Sequence, residues 1–261
     1  VEYLLFAILG MVGGLAAGLL GIGGGLIMVP VLLMIFPTIG ITGTHLVHIA
    51  IGTSLAAIVF ASITSVYSHH RHGGVLWDLF ARFAPGMVVG AVLGSTVAHY
   101  LPGNVLKLVF GVLEIAVALQ MAFGRRPPAS RQLPGIVPLS GVSTTFGAIA
   151  SIMGMGGGAM TTPFFLYCNV TARNAIATSA SLGLPTAFFG AAGYVVSGWS
   201  NAALPTLSAG YVYLPALAGI AVFSVLFAPI GAKLAQLLPA HTLKRIFAFV
   251  LMGLGLHMIL T

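Results

Sequence analysis

The chain has 261 residues, of which 59% are apolar and only 5% are charged, and its mean hydropathy is +1.10. A soluble domain carries about 25% charged residues, so the composition excludes one and points to a polytopic protein embedded in the lipid bilayer. The net charge of +7 is not a nucleic-acid footprint, because the basic residues are scattered between apolar runs and report topology instead. The single cysteine, Cys168, excludes an internal disulfide framework.

The first apolar segment, A, covers 3–36. One helix of that length would be roughly 50 Å long at 1.5 Å per residue, against about 30 Å of hydrocarbon. Inside it lies Gly18-Leu-Leu-Gly-Ile-Gly-Gly-Gly-Leu-Ile-Met-Val-Pro30. Glycine is a poor helix-interior residue, so Gly23, Gly24 and Gly25 mark a break with helix on both sides, the second piece ending near Phe36. Three further spans follow: B at 45–68, C at 76–100 and D at 103–123. A polar, proline-rich stretch then reads as a linker, 124–135. Beyond it come A′ at 136–168, broken at Gly156, Gly157 and Gly158 with a short helix ending near Tyr167, then B′ at 174–197, C′ at 210–237 and D′ at 241–260.

The second set of segments repeats the first. Gly21-Ile-Gly-Gly-Gly-Leu-Ile-Met-Val-Pro30 returns as Gly154-Met-Gly-Gly-Gly-Ala-Met-Thr-Thr-Pro163, Ala50-Ile-Gly-Thr-Ser54 as Ala175-Ile-Ala-Thr-Ser179, and Leu101-Pro102 with Lys107 as Leu238-Pro239 with Lys244. Ordered matches of this kind divide the chain into repeats 1–123 and 136–261.

Charge decides their relative orientation. If A and A′ each crossed once, the ten Lys and Arg residues would divide five against five. If each enters and returns to its own side, all but Lys107 share one face, as cytoplasmic loops prefer. The predicted fold is therefore all-α and polytopic, with two inverted-topology repeats, each a glycine-broken helical hairpin followed by three transmembrane helices. The linker and the 69–74 loop are expected in the cytoplasm and both termini outside.

Inverted repeats are a common plan for secondary transporters, whose broken helices line a midplane site. Freed backbone N–H groups and the positive end of the helix dipole favour an anion there, and glycine lets it approach closely. Close helix packing is the alternative use of such glycines. Thr53 and Ser54 lie near half the membrane depth in B, with Thr178 and Ser179 as their mates. These hydroxyls can serve the anion, or bond their own helix backbone.

Glu114 stands mid-segment in D, where carboxylates are costly and functional by default. It is a candidate for proton coupling, the alternative being a protonated acid bonded to a neighbouring helix. His48 and Arg173 correspond in the repeat and suit charged vestibules or plain interfacial cations. The run His69-His-Arg-His-Gly-Gly74 reads as a basic cytoplasmic loop rather than a metal cluster, and Cys168 is assigned no role. No metal, cofactor or catalytic residue is expected.

The two copies of GxGGGxxxxP, each followed by an A-x-x-T-S segment, resemble the sulfite exporter TauE/SafE family of bacterial membrane transporters. Ala177 stands where the first copy has Gly52. The resemblance implies a multi-pass protein of the bacterial inner membrane whose partner is a small sulfur-containing anion, such as sulfite or an organosulfonate, usually exported. Walker A needs a Gly-Lys pair, and none occurs, so coupling would use a gradient. A passive anion channel is a second reading. An intramembrane enzyme is a third, without HExxH or a second deep acid to support it. The oligomeric state is left open.

Overall fold

A computed structural model describes residues 2–20, 24–123, 133–237 and 240–260. Its elements, in chain order, are α1 (Glu2–Leu20), α2 (Gly25–Thr38), α3 (Leu46–Arg71), α4 (Trp77–Tyr100), α5 (Gly103–Phe123), α6 (Ile136–Ile152), α7 (Gly158–Tyr167), α8 (Ala172–Gly198), β1 (Ser208–Ala209), β2 (Val212–Tyr213), α9 (Leu214–Leu237) and α10 (Ala240–Leu260). Six of these helices are long and apolar enough to cross a membrane, and the chain is a multi-pass α-helical membrane protein. Gly23 and residues 124–132 of the linker lie outside the described residues.

Each broken segment is a helical hairpin. Gly24, at φ 70°, sits ahead of α2, and Gly157, at φ 81°, ahead of α7. Those left-handed conformations are ones a β-carbon resists. Past each break the chain turns back along the helix it has just left. Gly24 and Met28 lie against Gly13, and the Phe36 ring is 6.5 Å from that of Phe6. Likewise Gly157 lies against Ala150, and the Phe164 ring is 5.7 Å from that of Phe146.

The helices pair across the two halves. α1 packs lengthwise on α9, and α6 on α4; α3 packs on α8, and α5 on α10. Small residues make these approaches possible, as they do where helices have no hydrophobic drive to associate. A β-carbon on Gly90 of α4 would stand 2.7 Å from the Ala148 backbone nitrogen in α6, and one on Gly14 of α1 would stand 2.7 Å from the Ser224 backbone in α9. Gly52 near the start of α3 abuts Tyr194 near the end of α8, whereas Gly74 after α3 abuts Ala177 at the start of α8. α3 and α8 therefore run antiparallel. α5 and α10 do the same, with Gly111 against Ile259 and Gly255 against Ile115.

α3 and α8 form the centre, with long buried stretches on each. α5 turns Leu108, Val112 and Leu119 outward, and α4 turns Val89, Leu93 and Val97 outward; such faces suit lipid. One departure from the sequence reading lies at the start of C′. Residues 208–213 form a two-stranded turn, with Ser208 opposite Tyr213 and Ala209 opposite Val212, and α9 begins only at Leu214. Positive φ at Leu207 and Gly210 reverses the chain there.

Candidate functional site

The two glycine breaks meet at the centre. A β-carbon on Gly25 would fall onto the Gly154 carbonyl oxygen and 2.9 Å from the Met155 Cα. Gly154 is itself left-handed, at φ 60°, and packs on Val29 and Ile51. The Gly24 carbonyl accepts from the N–H groups of Ile27 and Met28, and the Gly157 carbonyl from those of Met160 and Thr161, all at 3.1 Å. The first N–H groups of α2 and α7 have no partner within their own helices.

Ser54 is drawn into this junction, its hydroxyl donating to the Gly154 carbonyl at 3.0 Å. Ser179 is fully buried, and its hydroxyl has no partner among the described residues. Thr53 and Thr178 lie elsewhere and form a matched pair. Thr53 Oγ1 accepts the Tyr213 N–H at 3.0 Å, and Thr178 Oγ1 accepts the Leu76 N–H at 3.0 Å. Each Thr thus holds the residue that leads into the fourth helix, α9 or α4, of the opposite half. Of the expected residues, then, Gly24, Gly25, Gly156, Gly157, Gly158 and Ser54 belong to the breaks or touch them, and the two threonines stand apart.

Beside the second break is a cleft that reaches Gly156 and Gly183 at one end. Ser62, Ser65 and Ser68 line it from α3, with His69 beyond them. Ser62 is buried, Ser65 half-buried and Ser68 exposed, so the cleft widens towards the 69–74 loop. These hydroxyls were not among the expected site residues. Their signal is a serine at every third position in the second half of α3, which keeps neighbouring ones on adjoining turns.

Two arginines stand at the 69–74 loop. Arg71 ends α3, and Arg173 at the start of α8 donates to the His72 carbonyl. The loop's histidines are tied locally: His72 Nδ1 to the Ser68 carbonyl at 2.7 Å, and His70 Nδ1 to the Trp77 indole N–H at 3.3 Å. Among the described residues no three of His, Cys, Asp and Glu could hold a metal ion. Cys168 is buried at the end of α7.

At the other end of α8 two buried tyrosines close the packing. Tyr194, which occupies in the second half the place of His69, is fully buried, and its hydroxyl lies 3.5 Å from the Ser151 carbonyl. Tyr211 is buried against it, the rings 6.4 Å apart. Glu114 in α5 is fully buried, does not line the cleft, and has no hydrogen-bond partner for either carboxyl oxygen among the described residues.

Comparison with known proteins agrees along nearly the whole length. Residues 6–258 match the family described as Sulfite exporter TauE/SafE. A "probable membrane transporter protein" of Haemophilus influenzae is 32% identical over 259 residues, covering 98% of each chain. Another so named, from Methanocaldococcus jannaschii, is 28% identical and covers 98% of this chain and 95% of its own. One from Bacillus subtilis is 23% identical over 99% and 97%. No solved structure matches the chain.

Proposed function

We propose, from the premise that this chain belongs to the sulfite exporter TauE/SafE family of membrane transporters, that it carries a small sulfur-containing anion, sulfite or an organosulfonate, by alternating access between two inverted repeats. The observation that carries this reading is the cleft. It reaches from Gly156 at the second glycine break to His69 before the 69–74 loop, and it is lined by the hydroxyls of Ser62, Thr64, Ser65 and Ser68. An oxyanion presents several acceptor oxygens, and hydroxyl and backbone N–H donors match them without a buried counter-charge.

Inversion is supported by helix direction. α3 and α8 correspond in the repeat and run antiparallel, as do α5 and α10. The helix pairs α1–α9 and α6–α4 also exchange with one another when the halves are exchanged. In an inverted pair of repeats, a cleft on one side implies a matching one on the other when Tyr194 and Tyr211 part. In this assignment the 69–74 mouth faces the cytoplasm of the bacterial cell, the breaks with Ser54 and Ser179 form the deep end of the path, and Glu114 couples it to protons. The threonines act as hinge pins for α4 and α9.

The test uses the purified chain in liposomes. Thermal-shift screening against sulfite, thiosulfate, sulfate, sulfoacetate and taurine picks the ligand, and flux follows. The expected result is uphill movement of that ligand under an imposed proton gradient, with weaker binding in Ser62→Ala and Ser65→Ala. Flux that only ever runs downhill would remove the proton coupling and leave the channel reading standing. Binding indifferent to both serine variants would move the site out of the cleft.

A further inference from the structure

At the closed end, three histidines surround one tyrosine. His45 precedes α3, His48 lies in its first turn, His99 is in the last turn of α4, and Tyr211 lies in the turn between β1 and β2. The Tyr211 ring centroid is 5.5 Å from that of His45, 5.1 Å from His48 and 5.8 Å from His99. Its hydroxyl is 3.2 Å from His99 Nδ1 and 3.5 Å from His45 Nδ1. A phenol has one proton to give, so at most one imidazole receives it and the other must donate to the oxygen.

His48 is the unusual member. Its Nε2 is 3.0 Å from the Ala98 carbonyl oxygen. A carbonyl only accepts, so Nε2 carries a proton. In the neutral ring Nδ1 is then a bare acceptor, and it is buried without a partner among the described residues, in a side chain only 2% exposed. A second proton would turn it into an unpaired donor on a cation. The Ala98 carbonyl belongs to the C-terminal turn of α4, whose dipole favours that cation, while the first turn of α3 favours an anion beside it.

No resident carboxylate meets this need. The chain's three acids are Glu2, Asp78 and Glu114. Glu2, at the start of α1, faces Tyr213 rather than His48, Asp78 is in the first turn of α4 at its opposite end from His99, and Glu114 is mid-α5. The ionisable groups facing His48 are His45 and His99, and the Leu101 backbone also faces the ring. Around them α8 supplies Tyr194, β2 supplies Tyr213, and α5 supplies Lys107, one turn past Gly103, which packs on Thr44. α2 carries no ionisable side chain, and Lys233 of α9 lies at the far end of that helix.

We propose that this cluster is a second anion site, on the face opposite the cleft, which takes up a small oxyanion together with a proton on His48. Imidazolium Nδ1 donates to the bound oxygen. The half-exposed His45 and His99 lead to it from the surface, and their exchange of hydrogen bonds with Tyr211 sets which of them donates. The proposal rests on the transport reading only for its purpose, as the station at which the anion is exchanged with the outside.

The experiment counts radiolabelled sulfate bound per full-length chain in detergent at about pH 5.5 and pH 8, on either side of the ordinary imidazole range. Sulfate keeps its charge across that window. The expected result is one further sulfate per chain at the lower pH. His48→Gln should abolish that increment and leave binding at pH 8 intact. Tyr211→Phe, which keeps the ring but removes the oxygen that His45 and His99 share, should weaken the increment up to about tenfold, the scale of one hydrogen bond. Ser62→Ala with Ser65→Ala should do the reverse, lowering binding at pH 8 while sparing the increment. An increment that is absent in the wild type, or that survives in a monodisperse His48→Gln protein, overturns the second site. Loss of only the serine dependence overturns the cleft and leaves the second site standing.

Discussion

Gly25→Ala tests whether the contact between the two breaks holds the molecule together. The new β-carbon would land on the Gly154 carbonyl oxygen, with the Met155 Cα and the Ile58 side chain each at 2.9 Å. Ile58 can adjust, but the carbonyl and Cα are backbone of the opposite break and move only if that break moves. Overpacking of a filled core costs about 1–3 kcal/mol, and a clash with backbone belongs at the upper end. Gly25 is the first residue of α2, so alanine recovers little of the helix-interior advantage it has over glycine, which leaves a net loss of about 2–3 kcal/mol. Gly141→Ala is the control: it is also helical, and nothing lies within 4 Å of its new carbon. Thermal unfolding of the detergent-purified proteins, followed by size exclusion, should place Gly25→Ala below the wild type and Gly141→Ala at or above it. Equal melting of Gly25→Ala and the wild type would refute the idea that the breaks abut.

Thr53→Val and Thr178→Val should each cost about 1 kcal/mol in the same assay, because a half-buried N–H, of Tyr213 or Leu76, loses its acceptor. Thr→Ser at either position should recover most of it, and similar losses at the two sites are expected from their matched roles. Glu114→Gln should leave substrate binding intact and abolish proton-driven uphill flux, leaving at most downhill exchange; unchanged uphill flux would exclude Glu114 as the coupling group. Reporter fusions should place the 69–74 loop and the linker in the cytoplasm and the C-terminus outside, and a cytoplasmic C-terminus would overturn the inverted arrangement.

Much of this architecture is written locally. Segment A is too long for one span and carries its glycines in the middle, so the break at Gly24 follows from length and conformational freedom alone. Gly157 opens a second break in the same left-handed conformation. The helix ends likewise fall within a few residues of the apolar runs, as D and α5 do at 103–123.

What the sequence conceals is partnership across distance. Thr53 and Tyr213 are 160 residues apart, and nothing near Thr53 distinguishes an acceptor for a backbone N–H from a group awaiting an anion. The serine face of α3 is hidden for another reason. Its counterparts in the second half, counted from Thr53 and Thr178, are Ala187, Gly190 and Gly193, so a search for features present in both halves passes over it. The strand pair at 208–213 is masked by apolar residues that could equally open a helix.

The crossed pairing of α1 with α9 and of α6 with α4 bears on how the protein is made. Gly86, Gly90 and Gly94 give α4 a smooth groove that is filled only by α6, and Gly10 and Gly14 of α1 wait longer still, for α9. The first half therefore leaves the insertion machinery with its seams open, and it stays a set of loosely held spans until the second half threads between them. Neither half synthesised alone would have a closed surface to present to lipid, whereas the two expressed as separate chains would each carry the pieces that complete the other.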